Sequence, residues 1–120
     1  MATFTKKILS GSTDGKAIKV VQTATAGTTI HTGSATATTL DEVWLYAVNS
    51  SASAVKLTLE WGEATAPDGN IELSVAAESG LVLLTAGLLI KGNATPLVVK
   101  AFAATANVIL IHGYVNQITV

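Results

Sequence analysis

The sequence predicts an all-β protein, an antiparallel two-sheet sandwich of jelly-roll type with about eight strands. Three observations predict it. Apolar and polar residues alternate strictly at 55–61 and again at 71–75. Clusters of Gly, Pro, Asn, Asp and Ser separate the apolar runs. No segment keeps a helical period, since the one candidate, 71–84, is interrupted by Gly80 and its first half holds period 2. The chain is read as a single domain over residues 1–120.

Residues 4–9 form a short first strand, closed by the turn cluster Ser-Gly-Ser-Thr-Asp-Gly at 10–15. A second strand covers 17–22, with Ile18 and Val20 on one side. Segment 23–39 is almost entirely Thr, Ala, Gly and Ser. Thr favours extended backbone, so 27–32 reads as a strand, and segment 23–39, or the N-terminal arm, is expected to lie as an extended contact arm along a neighbouring subunit. The stretch 41–61 reads as a β-hairpin turned at Asn49-Ser-Ser-Ala-Ser, because Asn and Ser bond their own backbone in turns. Its second half buries Val55, Leu57, Leu59 and Trp61 and wets Lys56, Thr58 and Glu60. Its first half is apolar on both sides, with Val43, Leu45 and Ala47 opposite Trp44, Tyr46 and Val48, which requires a cover for the second side.

After the Ala-Pro-Asp-Gly turn at 66–69, Ile71, Leu73 and Val75 form a core-facing strand together with Leu57 and Leu59. Two apolar runs follow at 81–84 and 88–91, split by Thr-Ala-Gly. Strands at 97–103 and 108–118 close the chain, the last long or bent at Gly113.

Charged residues make up 12% of the chain, about half the usual share, and mean hydropathy is +0.51. A membrane helix does not account for this. The charge-free run 79–90 falls short of the ~20 residues a span needs, and 101–120 carries Asn107, His112, Asn116 and Gln117 in strand-forming sequence. No secretory signal follows Lys6-Lys7. The remaining explanation is burial against other subunits, whose interfaces are charge-depleted, so a homo-oligomer is expected. Nucleic acid is not expected as a partner: arginine is absent, and the seven lysines are scattered in a chain of formal charge -1.

No constellation of reactive residues emerges. His31 and His112 are the two histidines, far apart in sequence and without the H-x-H spacing of a β-barrel metal centre, so packing or interface roles are expected and no metal or cofactor. Glu60 and Glu63 flank Trp61 like a glycosidase acid pair beside an aromatic platform, yet the alternation makes Glu60 solvent-facing and puts Glu63 in the following turn. Asp41 and Glu42 read as strand-end residues and Asp68 as a turn residue. No G-x-S-x-G elbow or phosphate-binding glycine loop occurs, so no enzyme is predicted. Trp44, Tyr46 and Val48 share one strand face and are the candidate interface; a carbohydrate-binding module using Trp44, Tyr46 or Trp61, or another virion (tail or head-fibre) adhesion protein, is the alternative.

The run LDEVWLYAVNSSASAVKLTLEWG, followed by AESGLVLL, GLLIKG and VVKAFAATANVILIHGYVN, resembles small virion structural proteins of tailed bacteriophages, in particular capsid cement or decoration proteins. The resemblance covers about residues 40–116 and carries no catalytic motif. It implies a cysteine-free β-sandwich on the capsid surface of a virion. A homo-oligomer, with a trimer first, would there contact the major capsid protein and stabilise the shell.

Overall fold

A computed structural model describes residues 2–120. Nine strands are present among the described residues: β1 (Thr3–Ile8), β2 (Ile18–Lys19), β3 (Thr28–Thr32), β4 (Thr39–Asn49), β5 (Val55–Trp61), β6 (Asn70–Val75), β7 (Val82–Lys91), β8 (Val98–Ala103) and β9 (Ile109–Thr119). They build two antiparallel sheets. The first has the order β1-β9-β4-β7, with β2 pairing further along β9, and the second β3-β8-β5-β6. From β3 to β5 and from β6 to β9 each strand passes to the opposite sheet, which is jelly-roll order and meets the expected all-β sandwich.

The core lies between the sheets. Val43, Leu45 and Ala47 of β4, with Ile109, Ile111 and Val115 of β9, face Leu57 and Leu59 of β5 and Val99, Ala101 and Ala103 of β8. Of the predicted core residues, Leu57, Leu59 and Val75 are buried, while Ile71 and Leu73 on edge strand β6 are partly covered. The small Ala101 and Ala103 let the sheets approach, and Gly113 lets β9 approach β4. A Cβ at Gly113 would lie 2.0 Å from the Trp44 carbonyl oxygen, so any larger residue there would force two central strands apart.

Three sequence expectations are corrected. The 41–61 stretch is not a hairpin: β4 pairs with β7 and β9 in one sheet, and β5 with β6 and β8 in the other. Asn49 makes the arch. Its buried side chain donates to the carbonyls of Ser53 (2.8 Å) and Val75 (3.0 Å) while its own oxygen accepts from the Ser51 amide (2.9 Å), a set of bonds that carries the chain across the core. The runs at 81–84 and 88–91 are one strand, β7, with register shifts opposite Val43/Trp44 and Leu45/Tyr46. Gly87, at φ +77, supplies the left-handed residue one of these irregularities needs. The second strand shrinks to Ile18–Lys19, and Val20 is tied outside it by bonds to Ile109 and Asn107.

Candidate interaction surface

The register places one continuous set of side chains on the outer face of the β1-β9-β4-β7 sheet. Trp44 stands level with Tyr114, Tyr46 with His112, and Val48 with Leu110. Leu83 and Leu89 of β7 flank Tyr46 and Glu42, and Ile8 of β1 flanks Tyr114. Trp44, Tyr46 and Val48 are half-buried by these neighbours. The rim is far more open: Phe4 is 71% exposed, Ile8 51%, Leu83 51% and Leu89 49%. Among the described residues the second side of β4 is therefore only partly covered. Exposed apolar side chains thus surround a centre that also carries Glu42, Lys6, His112 and Asn116.

The aromatic centre of the face is packed and hydrogen-bonded. The Trp44 and Tyr114 rings stack at 8° with centroids 5.9 Å apart, and Lys6 lies over Tyr114 at 4.9 Å. Because β1 and β4 flank β9 on opposite sides, Tyr114 is covered from both. Glu42 accepts from Trp44 Nε1 at 3.1 Å and from Asn116 Nδ2 at 3.2 Å. Those two bonds, Trp44 first, hold its carboxyl below the usual glutamate value of 4.5, with desolvation opposing them. A depressed carboxyl stabilises the fold above its unfolded pKa, and that support is lost as pH falls through the folded one. Acidification below 4.5 should thus shift the Trp44 emission in wild type, and Glu42→Gln should remove the shift; an unchanged shift in Glu42→Gln would assign it elsewhere.

The remaining candidate residues go elsewhere. Glu60 is not solvated: it is 1% exposed, accepting from the Thr25 hydroxyl at 2.6 Å and the Gly27 amide at 2.7 Å. The start of the Thr/Ala/Gly segment thus lies over Glu60 through Thr25 and Gly27. A Cβ at Gly27 would lie 2.5 Å from the Ala101 carbonyl. Its continuation, β3, pairs with β8 of the same chain. Glu63 is exposed in the next loop, and Trp61 reaches across to donate to the Leu89 carbonyl at 3.2 Å.

Asp41 is also buried, and it meets His31. Its Oδ2 lies 2.7 Å from His31 Nε2, and its Oδ1 accepts from Gln117 Nε2 at 3.0 Å. The Ser10 amide donates to His31 Nδ1 at 3.1 Å. With Nδ1 accepting, Nε2 carries the proton and gives it to Asp41. The imidazole has no free nitrogen left to act as a base. The pair could not be read from the sequence, since ten residues and a change of sheet separate its members. Among the described residues no three His, Asp or Glu side chains converge as a metal site would require. No helix of the described structure is long and apolar enough to cross a membrane.

The chain matches no protein-family model and no curated protein. Among solved structures it is similar to a chain in the crystal structure of the T13 IBDV viral particle. That likeness has 17% identity and a TM-score of 0.38, and it spans 98% of this chain but 31% of that one.

Proposed function

We propose that this chain is a non-enzymatic structural protein of a phage virion, a homo-oligomeric cement or decoration protein that sits on the capsid surface and stabilises the shell. The observation that carries the proposal is the outer face around Trp44, Tyr46 and Val48, with stacked rings at its centre and exposed apolar side chains at its rim. The resemblance of residues 40–116 to phage cement proteins supports the setting, and the jelly-roll order is compatible with it. The fold alone does not choose, because capsid proteins, lectins and cupins share it. Catalysis has no part in this reading, since the buried imidazole and carboxylate are engaged with each other and with Gln117 and Ser10.

A trimer suits the setting. Threefold and quasi-threefold positions of an icosahedral shell bring three capsid subunits together, and one clamp can hold all of them. Each contact can then be weak, because engagement at several sites raises the local concentration of the rest. Where Thr, Ala and Leu side chains make the contacts, binding should depend little on salt. Tyr114 has no open face for a sugar, with Lys6 on one side and Trp44 on the other, so a carbohydrate platform would have to use Trp44 or Tyr46.

Native mass spectrometry and light scattering test the oligomer, and co-sedimentation with shells lacking the protein tests the role. Tyr46→Glu places a charge in the middle of the face. It should leave the circular dichroism unchanged and weaken shell binding by about tenfold or more, a loss of ~1.4 kcal/mol. Shells equally robust to heat with and without the protein, or binding to a glycan that Tyr46→Glu abolishes, would overturn the reading.

A further inference from the structure

We infer that copies of this chain join edge to edge, β1 of one copy pairing antiparallel with β7 of the next, so that the outer sheet continues around the assembly. The inference deepens the oligomer reading above and rests on it. Both strands are free edges of the same sheet. All six residues of β1 are exposed, and its only strand partner is β9. β1 carries Phe4 and Ile8 beside Thr3, Thr5, Lys6 and Lys7, and an exposed strand edge is a template for another strand.

Strand direction fits. Passing from β1 to β9, to β4, to β7, each step is antiparallel, so three reversals leave β1 and β7 running in opposite directions. A second copy set beside the first by rotation about an axis along the strands therefore offers its β7 antiparallel to β1, with no inversion. That is the polarity of a closed cyclic oligomer with head-to-tail contacts.

Height fits as well. Phe4 is level with Lys91 through Ile118 and Leu40, and Lys7 is level with Leu88 through Val115 and Val43. The four residues 4–7 of β1 thus stand in the same rows as 88–91 of β7. That end of β7 lies beyond both register shifts and is regular, so it can accept a strand where its irregular middle cannot. Side chains agree too: Phe4 would lie beside Lys91, and Lys6 would lay its stem along Leu89. One acceptor there, the Leu89 carbonyl, already takes the Trp61 indole N–H; a carbonyl oxygen has a second lone pair.

The chain has no cysteine, which gives a clean test. Within one copy Lys6 and Leu89 lie three strand spacings apart, about 14 Å, beyond the ~7 Å a disulfide can bridge. A Lys6→Cys, Leu89→Cys double variant should therefore cross-link only between copies. On mild oxidation it should give a covalent ladder ending at the subunit number measured for wild type, while either single variant stays uncross-linked. Leu89→Lys alone should shift the assembly toward monomer through like charge against Lys6, and adding Lys6→Glu should restore it. A double variant that assembles without cross-links, or dimers from Lys6→Cys alone, would overturn the pairing. A wild-type monomer that still sediments with shells would end this inference and leave the capsid role standing.

Discussion

Replacing Asp41 with alanine should destabilise the protein by about 2–5 kcal/mol, the cost of leaving two hydrogen-bond donors without their acceptor. The carboxylate is 2% exposed and receives both the His31 Nε2 proton and the Gln117 side-chain amide. Alanine leaves those donors facing each other across a void, and each unsatisfied buried donor costs about 1–3 kcal/mol. The loss spreads beyond the pair, because His31 also receives the Ser10 amide and so ties the turn after β1 to β3. Urea unfolding should show a lower midpoint at unchanged slope. Nitrogen NMR of the wild type should find His31 protonated at Nε2 alone. A loss below about 1 kcal/mol would mean that solvent reaches the pair.

Leu59→Ala should cost about 2–5 kcal/mol. Leu59 is 1% exposed and sits in the middle of β5, between Ile71 of β6 and Ala101 of β8. Alanine neighbours cannot grow into the space, and strands pinned on both sides collapse poorly, which favours the upper part of that range. The strand's other face gives the contrast. Lys56→Ala on the same strand removes only an exposed pair with Glu72, 3.0 Å apart, and should stay within about 0.5 kcal/mol. A Leu59→Ala loss below about 0.5 kcal/mol would place its side chain in solvent and shift the register by one residue.

The inward alternation of β5 and β6 was legible in the sequence because it is local: a strand exposes successive side chains to opposite faces, whatever it pairs with. So was the doubly apolar β4, whose Trp44, Tyr46 and Val48 now lie on the candidate surface. The turn residues likewise marked where strands end. What stayed hidden depends on partners distant in sequence. Whether β4 and β5 share a sheet turns on the two carbonyls that Asn49 bonds, one of them 26 residues away. Glu60 occupies a wet position by alternation, and only the crossing of Thr25 and Gly27 over the second sheet buries it and satisfies its charge. Asp41 and His31 look like unrelated polar residues until the jelly-roll order carries them to one point. The sequence by itself determined which side of most strands is apolar, since that follows from the two-residue repeat of the backbone. Only the tertiary structure decided which polar groups are enclosed and which apolar face is left open, because burial is a property of what the rest of the chain lays over a strand.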